Sequence, residues 1–118
     1  MRGKISSYED LQVYQTGYGL ALAVHRITQD FPSEERYELG QQLGKAAVSI
    51  PANIAEGYGR KNSKAEFKHF LRNALGSTNE VVVLLSIAKD LGYKTEPKII
   101  EQYDVLGKQI YRLIETWR

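Results

Sequence analysis

Apolar residues recur at alternating steps of three and four along almost the whole chain of 118 residues. This is the spacing of amphipathic helices, and the sequence has no alternation of the kind that predicts strands. The longest seam keeps heptad spacing over three repeats. Its members are Phe67, Leu71, Ala74, Thr78, Val81, Leu85 and Ala88. We therefore predict an all-α fold, an antiparallel up-down-up-down four-helix bundle, with residues 1–118 forming a single domain.

The first two helices are bounded by capping and breaking residues. Ser7 with Asp10 is typical of an N-cap, so the first helix is predicted over about residues 8 to 30, where Tyr18 and Leu22 widen its buried apolar face. Phe31-Pro-Ser ends this helix, and Ser33 is expected to cap the second. The second helix ends at Gly57 and Gly59, which are predicted as left-handed C-cap positions.

Pro51 interrupts the apolar register of the second helix. An interior proline removes one backbone hydrogen bond and collides with the carbonyl four residues back, at a cost of about 3 kcal/mol. Because the register continues through Ile54, we predict a kink at Pro51 and no new helix start.

The third and fourth helices follow similar signals. Ser63 with Glu66 forms a capping-box pattern, so the third helix is predicted to start at about residue 64 and to end at Gly92. Thr95, followed by glutamate and proline, is predicted to cap the fourth helix, which runs to the end of the chain.

Composition excludes several classes of site. The chain has no cysteine, so disulfides, thiolate metal sites and cysteine nucleophiles are absent. No stretch approaches the roughly 20 apolar residues of a membrane span, and the start has no apolar run that could serve as a signal peptide. The expected location is the cytoplasm, with no membrane partner and no cofactor.

A polar block faces the space between the second and third predicted helices. Its members are Gln42, Ser49, Pro51, Asn53, Glu56 and Gly57 on one helix and Ser77 and Glu80 on the other. We interpret it as a structural hydrogen-bond network that fixes helix register or a subunit contact. The alternative is an acid–base pair formed by Glu56 and Glu80.

Glu66-Phe-Lys-His69 matches the Glu-x-x-His spacing of di-iron bundles. Such a site needs the motif on two helices, and the only other histidine, His25, has no matching acid. We therefore predict no metal site.

Positive charge is concentrated in one segment. Five basic residues lie between positions 60 and 72 against the single acid Glu66, a local charge of +4 in a chain of net charge +2. They are Arg60, Lys61, Lys64, Lys68 and Arg72. The last three recur at i, i+4 and i+8 on one side of a helix, and Tyr58 is available to stack on a base. This basic strip is suited to phosphate contact, although a solvated helix face would have the same pattern.

Several motifs together carry a family resemblance. They are Phe31-Pro-x-x-Glu35, Tyr37-x-Leu39-x-x-Gln42-Leu43, the block Ser-Ile-Pro-x-Asn-Ile-Ala-Glu-Gly at 49–57, Ser63-x-x-Glu66-Phe67 and Gly76-Ser77-x-x-Glu80. The chain resembles, over nearly its whole length, the four-helix bundle proteins encoded in 23S rRNA intervening sequences. The resemblance implies a bacterial protein that assembles into a homopentameric ring. It also implies similarity to the accessory variability determinant of diversity-generating retroelements, which binds RNA and a reverse transcriptase.

The expected function is therefore a non-enzymatic homo-oligomer, a homopentamer by resemblance, that contacts RNA through the basic strip. One alternative is a scaffold or adaptor that binds a protein partner and no nucleic acid. Another is an enzyme that uses Glu56 and Glu80.

Overall fold

The structure is a computed structural model that describes residues 5–118. It contains four long helices, α1 (Gln12–Gln29), α3 (Leu39–Tyr58), α4 (Lys64–Asp90) and α5 (Ile99–Thr116), together with a one-turn helix α2 (Ser33–Arg36). A 3-10 turn, Tyr8–Asp10, precedes α1. The described range contains no strand. The predicted all-α class and the four long helices are confirmed.

The core lies between helices that are neighbours along the chain. α3 packs against both α1 and α4, α4 packs against α5, and α1 touches α5 only slightly. All seven residues of the predicted heptad seam in α4 are buried, including Thr78, whose hydroxyl donates a hydrogen bond of 2.8 Å to the Ala74 carbonyl. Tyr103 of α5 is the largest fully buried side chain.

The start of the first helix differs from the prediction. Ser7 does act as an N-cap, because its hydroxyl accepts from the Glu9 amide at 3.2 Å and the Asp10 carboxylate accepts from the Ser7 amide at 3.1 Å. That cap opens only the 3-10 turn. Leu11 is extended, with φ −76° and ψ 127°, and is buried. The helix therefore begins at Gln12 and not at residue 8.

The second predicted helix is divided into α2 and α3. Glu38 has φ −113° and ψ −86°, which is not helical, so α3 begins at Leu39. Ser33 does not cap: Pro32 occupies the N-cap position, and the Ser33 hydroxyl donates to Glu34 at 3.4 Å. The preceding turn lies close to α3, since a Cβ at Gly40 would be 3.2 Å from the Glu35 carbonyl oxygen.

The remainder of α3 confirms one expectation and corrects another. The helix continues without a new start through Pro51, which is buried, while the kink at Pro51 stays a prediction. Gly59 has φ −62° and ψ −17°, so it caps in the right-handed conformation, and the left-handed assignment of Gly57 and Gly59 is wrong. Gly57 instead permits close helix packing: a Cβ there would lie 2.7 Å from the Phe70 Cβ and 3.0 Å from a Phe67 ring carbon.

The N-terminus of α4 is half of the predicted capping box. The Ser63 hydroxyl accepts from the Glu66 amide at 3.2 Å, as predicted. The Ser63 amide donates to the Arg60 carbonyl at 3.0 Å, so the Glu66 carboxylate does not close the box and is free to bind elsewhere.

The C-terminus of α4 ends as predicted at Gly92. Among residues 5–118, Gly92 alone has a positive φ, 87°. The Tyr93 amide donates to the Ala88 carbonyl at 3.0 Å and the Gly92 amide donates to the Lys89 carbonyl at 2.9 Å, which together form a Schellman motif.

α5 begins later than predicted, at Ile99, with Lys98 at its N-cap and Thr95 outside it. The connection before it is held by Tyr93, whose hydroxyl donates to Glu35 at 2.8 Å and whose ring packs on Phe31 at a centroid distance of 5.3 Å. No helix within residues 5–118 combines the length and the apolar character that crossing a bilayer requires.

Candidate nucleic-acid interface

Three residues of the basic strip lie free on α4. Lys64 and Arg72 are exposed and Lys68 is half-buried. Within the described part of the chain, none of these three side chains donates a hydrogen bond or forms an ion pair. Because a helix rises 1.5 Å per residue, the strip from Lys64 to Arg72 extends for about 12 Å. Its positive charges therefore face solvent without a carboxylate to neutralise them.

Arg60, in contrast, is engaged within the chain. Its guanidinium binds the Glu56 carboxylate at 3.0 Å and the Glu66 carboxylate at 3.3 Å, and it lies 5.3 Å from the centre of the Phe70 ring. The hydrogen bond to Glu56, and next the one to Glu66, raise the pKa of Arg60. The two carboxylates offset its charge, so Arg60 joins the end of α3 to the first turn of α4.

Lys61 and Tyr58 form a second local pair. The Lys61 ammonium lies 5.2 Å from the centre of the Tyr58 ring, which is the geometry of a cation–π contact. Tyr58 is buried and packs edge-on against Phe67 at a centroid distance of 6.1 Å. The expectation that Tyr58 is available to stack on a base is therefore wrong: the ring is part of the core.

The polar block brings α3 and α4 together at their middle. The Ser49 hydroxyl donates to the Ser77 hydroxyl and also lies 3.1 Å from the Ala46 carbonyl. The Asn53 side chain donates to the Ser49 carbonyl at 2.7 Å. These polar side chains are all half-buried, so their hydrogen bonds satisfy groups that would otherwise cost free energy at the helix contact.

Glu56 and Glu80, the candidate acid–base pair, lie far apart. The Gln42 amide donates to Glu80 at 3.4 Å, which places Glu80 beside residue 42 of α3. Residues 42 and 56 are separated by about 21 Å along the helix axis. Glu56 is bound to Arg60. The structure does not bring the two carboxylates to one substrate group.

Glu66 and His69 also point to different partners. Glu66 accepts from Arg60, while the His69 ring lies against Phe70 at a centroid distance of 5.5 Å. Over the range 5–118, no three histidine, aspartate or glutamate side chains are grouped closely enough to hold a metal ion.

One exposed surface was not predicted from the sequence. Tyr18 and Leu22, expected to be buried, are 53% and 49% exposed, and Val48 is 60% exposed. They line a groove between α1 and α3 that continues toward the side chains of His25, Arg36 and Lys45. We call the surface formed by Tyr18, Leu22, His25, Arg36, Lys45 and Val48 the α1/α3 groove. The signal for this groove in the sequence was the apolar stripe of α1, which is wider than two neighbouring helices can cover.

Comparison with known proteins gives one family. No curated protein matches the sequence. The family model described as "23S rRNA-intervening sequence protein" matches residues 9–115, which include α1, α3, α4 and all of α5 except Thr116. The chain therefore belongs to the 23S rRNA-intervening sequence protein family.

Proposed function

We propose that this protein is a non-enzymatic, homo-oligomeric bundle protein of the cytoplasm that contacts RNA through Lys64, Lys68 and Arg72. The observation that carries the proposal is the part of the basic strip on α4, formed by Lys64, Lys68 and Arg72, which has no carboxylate partner among the described residues. The family description, which names 23S rRNA, makes RNA the polyanion to test first. A homopentamer is the assembly that the family resemblance implies.

The proposal assigns different roles to the five basic residues. Arg60 is neutralised by two glutamates and Lys61 lies over a core tyrosine, so both stabilise the turn between α3 and α4. Lys64, Lys68 and Arg72 supply the phosphate contacts. Their spacing of four residues, about 6 Å along the helix, puts three cations on one side of α4, where each can contact a different phosphate.

The proposal also takes the long helices to alternate in direction. Pairs of contacts between α3 and α4 support this arrangement, since Gly57 lies beside Phe70, Ser49 beside Ser77, and Gln42 beside Glu80. Residue numbers thus fall along α3 as they rise along α4.

The decisive experiment is a fluorescence titration of the protein with a structured RNA and a matched DNA duplex at several salt concentrations. The test variant replaces Lys64, Lys68 and Arg72 with glutamine. A matched control replaces Lys89, Lys94 and Lys98, which are exposed elsewhere on the chain, and changes the net charge by the same amount. Sedimentation velocity on the same samples measures the oligomeric state.

We expect wild-type binding to weaken steeply with salt. The log of the association constant falls with the log of the salt concentration, and each phosphate contact steepens this slope by about 0.7 to 0.9. Loss of three contacts should therefore reduce the magnitude of the slope by about 2 to 3. The control variant should keep the wild-type slope. Equal slopes for the test variant and the control, or no wild-type binding at low salt, would refute the RNA interface.

The second candidate function is a scaffold that binds a protein and no nucleic acid. The exposed Tyr18, Leu22 and Val48 of the α1/α3 groove favour it, because contiguous apolar surface of this kind marks protein contact sites. A partner protein that binds the wild type and the Lys64, Lys68 and Arg72 variant equally, in the absence of RNA binding, would support this function.

A further inference from the structure

The α1/α3 groove combines apolar and positive surface. At one end its walls are formed by Tyr18, Leu22 and Val48, and the exposed Ala52 extends the apolar part. His25 lies where the two parts of the groove meet, and the exposed side chains of Arg36 and Lys45 lie at the other end. No carboxylate lines the groove in the described part of the chain. An occupant that fits this surface carries an apolar stripe next to acidic groups.

The same chain displays such a stripe on α4. Val83, Ile87 and Leu91 are 57%, 43% and 54% exposed and recur at i, i+4 and i+8, so they lie along one side of the helix. The exposed carboxylates of Glu80 and Asp90 flank them. We call the surface formed by Glu80, Val83, Ile87, Asp90 and Leu91 the α4 stripe. It extends for about 16 Å along the helix.

We infer that the α1/α3 groove of one copy receives the α4 stripe of a second copy. This inference rests on the proposal that the protein is a homo-oligomer, and it names the two surfaces that meet. The three aliphatic side chains of the stripe cover the apolar wall of the groove, removing both from water. Glu80 and Asp90 lie near opposite ends of the stripe, about 15 Å apart along the helix, so one of them lies near Lys45 and Arg36 and opposite charges meet across the contact.

Two consequences follow from the use of different surfaces. A contact between a groove and a stripe is heterologous, so each copy has one of each to offer, and such a contact closes into a ring or continues as a filament. Lys64, Lys68 and Arg72 lie earlier on α4, where Arg72 precedes Glu80, the first residue of the stripe, by about 12 Å. Assembly therefore leaves Lys64, Lys68 and Arg72 outside the contact and repeats them once per subunit.

The test uses charge reversal on both surfaces, measured by native mass spectrometry and sedimentation velocity. One variant carries Arg36→Glu and Lys45→Glu, a second carries Glu80→Lys and Asp90→Lys, and a third carries all four changes. All four side chains are exposed, so the fold should persist, which circular dichroism checks. The matched control carries Glu101→Lys together with Asp104→Lys, which reverses the charge of two exposed acids of α5. A fifth variant, Val83→Asp, tests the apolar part.

We expect the double variant of the groove, the double variant of the stripe and Val83→Asp each to raise the dissociation constant of the assembly at least tenfold. The combined variant should regain assembly, because every contact then carries the reversed pair, and the control should match the wild type. If the wild type and all the variants assemble equally well, the inferred contact is wrong but the proposal of a homo-oligomer still holds. A wild type that stays monomeric at all concentrations would overturn both.

Discussion

Gly57 offers the sharpest test of how α3 and α4 pack. A Cβ at this position would lie 2.7 Å from the Phe70 Cβ, whereas ordinary contacts are 3.4–4 Å. The Phe70 Cβ is attached directly to the backbone of α4 and cannot rotate away. The Gly57→Ala variant must therefore push the two helices apart locally by at least 0.7 Å, the difference between 3.4 and 2.7 Å.

The free energy change has two parts of opposite sign. Overpacking a tight contact costs about 1–3 kcal/mol. Replacing a helical glycine by alanine gains up to about 1 kcal/mol, because alanine loses less backbone entropy on folding. We expect Gly57→Ala to lower the free energy of unfolding by about 1–2 kcal/mol.

Gly44→Ala is the matched control on the same helix, since nothing lies within 4 Å of a Cβ built there. It should gain about 0.5–1 kcal/mol. Urea unfolding, followed by circular dichroism at one protein concentration, measures both variants, because assembly would make stability depend on concentration. If Gly57→Ala proves as stable as Gly44→Ala, the close approach of α3 and α4 is wrong.

Two further predictions concern the core and the N-terminal cap. Leu71, which has no exposed surface, should lose about 2–5 kcal/mol of stability on change to alanine, measured by urea unfolding; a near-zero loss would contradict its burial. The amides of Ser6 and Ser7, then the Ser6 hydroxyl, lower the pKa of Asp10 from its ordinary 3.8. The stabilisation is thus present above about pH 4 and is lost as the pH falls through the folded pKa. Asp10→Asn should lower the urea midpoint at pH 6, and its difference from the wild type should shrink as the pH falls below 4; a difference that does not change with pH would contradict the cap.

The helices could be predicted from periodicity because core burial dominates where a helix lies. The seam from Phe67 to Ala88 is buried throughout, although Val81, Val82 and Val83 have low helix propensity. Element boundaries were less predictable. Leu11 is extended because its side chain turns into the core, and Glu38 breaks the helix where the turn before α3 packs closely. Both effects come from tertiary contacts that a local pattern does not contain.

The candidate site was predictable only in part. Charge and spacing identified the basic strip, but charge counts treat Arg60 like Lys64. The sequence separation of Arg60 from Glu56 and Glu66 permits the two ion pairs, yet only the geometry of the turn decides that they form. Glycine is common both at helix C-caps and at close helix contacts. Gly57 was therefore predicted as a C-cap, whereas in the structure it allows Phe70 to approach α3 closely. Tyr18 and Leu22 lie on the side of α1 that borders the groove with α3, and periodicity does not define which part of a wide apolar stripe a neighbouring helix covers.

The order in which the long helices pack has a consequence for how the chain folds. α1 with α3, α3 with α4, and α4 with α5 form the substantial contacts, and each of these pairs is consecutive among the long helices. Most of the core thus requires closure of short loops, which loses little chain entropy, and proteins with contacts this local fold in microseconds to milliseconds. The slight contact between α1 and α5 joins the two ends of the chain. We therefore expect the contact between α1 and α5, which contributes least to the core, to open while the other three pairs stay intact.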